Sequence, residues 1–348
     1  MLPSLATERV LDAAVPILGE NRLWRAVERG LALSGATIPQ ESAQVFKKAR
    51  AQAALRNLRL VDLARRTLPR LAEEGIRAVV FKGPFLNRQL HGDTFFRPTS
   101  DLDVLVARRQ FAQAVRVLEE GGLRSISGQA SSWWRYGLGE VHLRHSTGGT
   151  IDLHHRVQQP GCPLARRSVD FLRAVPDFEM VGEARIPVLR PRIALLLSAL
   201  NLLKGLMQRE PSGDYALDVA AGMRALDQSE LAQLGAFAHA QGLLQSMKVA
   251  LAVTEATFGI ELQVPAILRP EGGREAILPQ DWPVETMVLR PDDPGLEWPR
   301  RRRLLWAMSE GHGTFARAGN YTRDAAQALG SEVLRLATSA PAAPAPAR

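Results

Sequence analysis

One cysteine, Cys162, stands among 348 residues, which excludes an internal disulfide framework and any thiolate metal cluster within the chain. Lysine is nearly as scarce: Lys47, Lys48, Lys82, Lys204 and Lys248 are the only five among 44 basic residues. Arginine is therefore the general surface cation. The net charge of +8 fits nucleotides or other anions as well as it fits nucleic acid. No apolar run is long enough to span a bilayer. The most apolar stretch, IALLLSALNLLKGLM at 193–207, is short and interrupted by Asn201 and Lys204. The first twenty residues carry acids and lack a basic stretch leading into an apolar run, so no signal peptide is expected and a cytoplasmic location is. No internal repeat is visible. Hydrophobic residues at 46 % and charged residues at 23 % exclude a largely disordered chain.

The texture of the chain changes twice. Residues 7–75 read as helices, with Ala51, Leu55, Leu58, Val61, Ala64 and Leu68 at three- and four-residue spacing. From Ile76 two short apolar runs, AVVFKG and SDLDVLV, predict strands about twenty residues apart. RRQFAQAVRVLEEG at 108–121 predicts a helix stopped by Gly121-Gly122. EVHLRH, STGG and TIDLHHRV predict a hairpin. Helical spacing returns from about 190, a proline-rich segment covers 264–300, and SAPAAPAPAR ends the chain. The expected organisation is a helical region at 1–75, an α/β core at 76–160, a helical region at 161–335 and a disordered tail at 336–348.

The chemistry concentrates in Ser100-Asp101-Leu102-Asp103-Val104-Leu105-Val106. Residues two apart in a strand share a face, so Asp101 and Asp103 project together while Leu102 and Val104 face the opposite layer. Two carboxylates at 4–7 Å repel by roughly 2–4 kcal/mol at an effective dielectric near 20, so the fold must supply a counter-charge. A divalent cation is the natural one, and hard oxygen ligands select Mg²⁺ or Mn²⁺. Asp152, in TIDLH, adds a third acid on a neighbouring strand, pointing away from Ile151 and Leu153. Three converging carboxylates are what metal-assisted phosphoryl transfer needs. Lys82-Gly83 closes the first strand: the glycine lets backbone approach a phosphate and the lysine adds a compact positive charge. Arg97 could clamp phosphate oxygens bidentately.

The run Val80-Phe81-Lys82-Gly83, Leu90-His91-Gly92-Asp93, Arg97 to Val106, then Ile151-Asp152-Leu153-His154-His155 resembles the uncharacterised bacterial nucleotidyltransferases of the polymerase-β-like superfamily. Asp218-Val219-Ala220 is similar to a later aspartate-containing helix of that family. The resemblance, over roughly 75–225, implies an α+β fold with a small mixed-sheet nucleotidyltransferase core between helical regions. It implies Asp101, Asp103 and Asp152 as metal ligands and catalytic residues, and Lys82, Gly83, Arg97 and Ser100 as nucleotide-binding residues. It also implies Mg²⁺ or Mn²⁺ with a nucleoside triphosphate, ATP by default, and an acceptor that is a small molecule, peptide or protein. His154, Lys204 and Asp218 are candidates for orienting ligands or meeting the acceptor. The sequence departs from the family at Lys-Gly-Pro in place of a Gly-Ser loop, and at His91, His155 and Asn201.

Other groupings carry less. His142, His145, His154 and His155 crowd together, yet His154 and His155 point to opposite faces and no partner cysteine supports zinc. Arg300 to Arg303 fit a solvated helix start or an RNA contact, and Trp133-Trp134 fit edge packing or base stacking. Ser131 and Cys162 lack a triad partner. A nucleic-acid binder, or a regulatory protein of toxin–antitoxin type on the same scaffold, is the competing class.

Overall fold

The two apolar runs are strands because nearly every side chain in them is buried: β1 (Ala78–Val80) and β2 (Leu102–Val106) are covered on both faces. They lie at the centre of a computed structural model that describes residues 13–36, 38–126, 138–158, 162–173, 177–291, 298–311 and 313–338. The chain enters through α1 (13–20), α2 (Trp24–Leu33) and the long α3 (Gln40–Glu73). After β1 comes α4 (Pro84–His91), then β2, α5 (Phe111–Glu120), β3 (Leu123–Ser125), and the hairpin β4 (Glu140–His145) and β5 (Thr150–His154). A short α6 (Ser168–Arg173) precedes a second hairpin, β6 (Asp177–Val181) and β7 (Ala184–Val188). Helices α7 (Pro191–Gln208), α8 (Gly213–Ala225), α9 (Gln228–Gln241), α10 (Leu244–Phe258), α11 (Val284–Leu289), α12 (Trp298–Met308) and α13 (Thr314–Thr338) complete the chain. The fold is mixed α/β.

The seven strands form one sheet in the order β3-β4-β5-β2-β1-β7-β6. β1 and β2 are antiparallel, while β2 and β5 are parallel with Asp103 opposite Asp152. Alternation divides the strands between two cores. Val80, Val104, Ile151 and Leu153 join Leu60, Leu63 and Leu118 of α3 and α5 on one face. Val79, Phe81 and Leu105 join the buried leucines of α7 and the helices behind it on the other.

Two expectations change. The β6–β7 hairpin adds two strands to the sheet through Val80↔Val188, so the sheet unit reaches Val188 rather than ending near 160. The residues of β6 are mostly exposed and carry little alternating pattern, which hides the strand within a stretch read as helical. In α3 the inward stripe is Ala53, Asn57, Leu60, Leu63/Ala64, Leu68 and Leu71, whereas Leu55 and Leu58 are each 54 % exposed. A buried asparagine holds the position that apolar spacing alone assigns to leucine. The expected disordered tail gives up 336–338 to α13, and residues 339–348 lie outside the described ones, as do Trp133, Trp134 and Ser131.

Candidate active site

The loop that delivers the DxD strand is fastened before the strand begins. Asn57 of α3 donates to the carbonyls of Thr94 at 2.7 Å and Arg97 at 2.9 Å, and its Oδ1 accepts from Thr99 N at 3.0 Å and Oγ1 at 2.8 Å. Asn87 of α4 donates to the Arg97 carbonyl at 2.9 Å. Neither asparagine is flagged by sequence pattern; each reads as a polar residue on a solvated helix face.

Arg97 itself points away from the carboxylates. It is 4 % exposed, and its guanidinium donates to both oxygens of Asp218 at 2.8 and 2.6 Å and to the Asp214 carbonyl at 2.9 Å. His91 Nε2 lies 2.7 Å from the same Asp218 carboxylate, and its ring stacks on Phe96 at 3.9 Å. Burial alone would raise Asp218, but the charges of Arg97 and His91 hold its carboxyl below the usual range. The expectation of Arg97 as a phosphate clamp, and of Asp218 as a contact to nucleotide or acceptor, gives way here. The two bond each other bidentately and join α8 to the loop ahead of β2, out of solvent.

The carboxylates do converge. Asp103 and Asp152 are register partners in adjacent parallel strands, and Asp101 precedes β2 with its Oδ2 accepting from Ser100 Oγ at 2.7 Å. Lys82 Nζ stands 3.2 Å from Asp103 Oδ1. Burial would raise the Asp103 carboxyl, but Lys82 and the neighbouring His154 hold it well below the ordinary value. The same pairing keeps buried Lys82 charged, its ammonium pushed above its usual range despite the cost of burial. Asp101 goes the other way: burial, with Asp103 and Asp152 beside it, pushes it up to about 6. Gly83 has φ +80°, and a Cβ there would lie 3.1 Å from the Asp101 carbonyl oxygen, so the turn after β1 admits glycine for two reasons.

Hairpin register brings in two residues that sequence left aside. His142 of β4 sits opposite Asp152, its Nδ1 2.7 Å from the carboxylate, and Glu140 sits opposite His154. His154 therefore faces Asp103, at 3.2 Å from Nε2, rather than orienting Asp152 as expected. The signal was the alternation of Glu140-Val141-His142 against Asp152-Leu153-His154 across a four-residue turn. Lys204 of α7 approaches from the helical side, its ammonium lowered by burial and then by Lys82, and supported by Glu140 and Asp103. His145 and His155 turn elsewhere, to Thr147 and against Phe111. Cys162 is buried and its thiol is pushed up to about 12 by burial, which leaves no nucleophile there.

A family model for uncharacterised nucleotidyltransferases matches residues 11–259, well over half of the chain. The chain belongs to that nucleotidyltransferase family. Its activity class is group transfer, as the motif resemblance implies. No curated protein matches the sequence. Among solved structures, the antibiotic-resistance factor ANT(2'')-Ia aligns at 10 % identity and TM-score 0.37, over 51 % of this chain and 90 % of its own. An antigenic nucleotidyltransferase-like protein from Paracoccidioides brasiliensis aligns at 16 % identity and TM-score 0.33, over 50 % and 79 % respectively. In this nucleotidyltransferase no helix among the described residues is long and apolar enough to cross a membrane.

The donor set suits a divalent cation. One oxygen each from Asp103 and Asp152 and one ring nitrogen of His154 lie within 4.8 Å of one another, so a small inward shift would bring all three onto one ion. Asp101 adds a third carboxylate to the neighbourhood, felt as the rise in its own pKa.

Proposed function

We propose that this nucleotidyltransferase moves a nucleoside monophosphate, AMP from ATP by default, to a hydroxyl or phosphate of an acceptor in the cytoplasm. The acceptor is a small molecule, a peptide or a protein. The observation that carries the reading is the pairing of Asp103 with Asp152 across two parallel strands, with Asp101 at the strand entrance and Lys82-Gly83 beside it. Asp101, Asp103 and Asp152 would hold Mg²⁺ or Mn²⁺. When bound, the ion supplies charge neutralisation on the triphosphate and acidifies the attacking hydroxyl.

The remaining roles belong to the chain's own groups. Lys82, held next to Asp103, meets a phosphate oxygen by turning its ammonium from the carboxylate. Gly83 lets the backbone of the turn come within hydrogen-bonding reach of the same phosphates. Ser100 keeps Asp101 oriented. Asp152 is the candidate general base for the acceptor hydroxyl, with His142 fixing the carboxylate through Nδ1. Lys204 approaches from α7 on the side where an acceptor or phosphate would enter. Arg97 and Asp218 act at one remove, by fixing the loop that aims Asp101.

The test is incubation of the purified protein with labelled ATP, GTP, CTP and UTP, each with Mg²⁺ or Mn²⁺ and cell lysate. Label from one nucleotide, most strongly ATP, should appear on a discrete acceptor. No transfer from any of the four with either ion would overturn the reading.

A further inference from the structure

Glu140 has no part in the transfer just described, yet it is a carboxylate only 2 % exposed at the start of β4, one strand in from the sheet edge. Its Oε2 lies 3.3 Å from His154 Nδ1 and its Oε1 3.5 Å from His142 Nε2. The two ring nitrogens of His154 thus each face a carboxylate, Nδ1 that of Glu140 and Nε2 that of Asp103. The residue is 9 % exposed, and its buried Nε2 has no hydrogen-bond partner although Asp103 Oδ1 is 3.2 Å away. A cation between this nitrogen and the Asp103 oxygen would give both a partner. A ring nitrogen of His154 belongs to the close group with Asp103 and Asp152, and Nε2 is the one on the Asp103 side.

We propose that His154 is itself a metal ligand, through Nε2, alongside Asp103 and Asp152, with Glu140 as the positioning residue that fixes its tautomer and ring orientation. This rests on the metal-dependent reading of the site and adds to it a nitrogen donor. Carboxylate–histidine–metal relays of this kind tune affinity in other metal sites. A nitrogen in the donor set favours a first-row transition ion over the strictly oxygen-seeking Mg²⁺, so the site prefers Mn²⁺.

Pulsed electron paramagnetic resonance on the full-length protein loaded with one equivalent of Mn²⁺ decides it without any turnover. Wild type should show coupling of Mn²⁺ to a directly bound nitrogen, and the coupling should change on ¹⁵N-histidine labelling. It should vanish in His154→Gln and survive in His142→Gln. Glu140→Gln should keep the coupling while weakening Mn²⁺ binding about 10- to 100-fold. The ratio of Mn²⁺ to Mg²⁺ affinity should fall at least tenfold in His154→Gln. Wild type that binds Mn²⁺ with no nitrogen coupling, or coupling that persists in folded His154→Gln, overturns the nitrogen ligand and leaves the metal-dependent reading standing. Wild type that binds no Mn²⁺, with or without nucleotide, overturns both. The wild-type spectrum gives the answer even if a variant fails to fold.

Discussion

Lys82 and Asp101 feel the same cluster of carboxylates with opposite consequences. Lys82 is the built-in counter-charge, so Lys82→Ala should weaken triphosphate binding about 10- to 100-fold, the scale of a lost charged hydrogen bond. Gly83→Val should abolish that binding, because any Cβ at φ +80° presses on the Asp101 carbonyl. Nucleotide titration by calorimetry checks both, and wild-type affinity in the pair would move the phosphate site elsewhere. Asp101 is raised to about 6 by burial, Asp103 and Asp152, against 3.8 for an ordinary aspartate. The folded state thus holds this proton more tightly than the unfolded one. In the metal-free protein Asp101's own contribution to stability is lost as pH rises from about 4 to 6, in the opposite sense to a salt-bridged aspartate. Asp101→Asn removes the penalty: with chelator present it should stabilise the protein by on the order of 2 kcal/mol at pH 7.5 and hardly at all at pH 4. Urea unfolding at the two pH values measures this, and equal effects at both would contradict the assignment.

Helices and strands decide which of these residues meet. The site carboxylates were legible because strand alternation is strict: an aspartate two residues from another, flanked by buried aliphatics, has one face to occupy. The β4–β5 hairpin was legible as a hairpin, but its register was not, since the four-residue turn fixes the pairing through hydrogen bonds at His145, Gly148 and Gly149. Glu140 and His142 were therefore invisible as site residues until that register was known. Arg97 was misplaced for a related reason. Spacing from Asp101 gives its position along the chain, whereas its partner Asp218 lies 121 residues later on α8. The ion pair is buried, so removing one member leaves an uncompensated charge. Asp218→Asn should destabilise the fold by about 3–5 kcal/mol, read as a shift in the urea midpoint. A loss below 1 kcal/mol would mean that α8 is held to the DxD loop by something other than this pair. Asn57 escaped for the plainest reason: a polar residue between arginines on a long helix carries no inward signal, yet it holds Thr94, Arg97 and Thr99 together.

At the scale of the molecule, the sheet unit, the helices behind α7 and the matched family region make one argument about chemistry, whereas the net charge makes none. The arginine run sits at the start of α12, where Arg302 and Arg303 are exposed and Leu304 and Leu305 turn inward. Neutralising Arg300 to Arg303 should leave nucleotide transfer within about tenfold of wild type. A nucleic-acid binder would instead show affinity falling with salt by roughly 0.7–0.9 per neutralised phosphate, and would lose that dependence with the four arginines. The family assignment fixes the class of reaction, and fold alone does not choose the acceptor.

The most direct test of the account is the Asp101→Asn, Asp103→Asn double variant, assayed for Mn²⁺ binding and for transfer of labelled nucleotide. The Asp101 change relieves carboxylate repulsion while the Asp103 change takes the counter-charge from Lys82, so folding is checked by circular dichroism. The folded variant should bind Mn²⁺ at least 100-fold more weakly and show no transfer. A folded double variant that retains even a tenth of wild-type turnover would contradict the site at its centre.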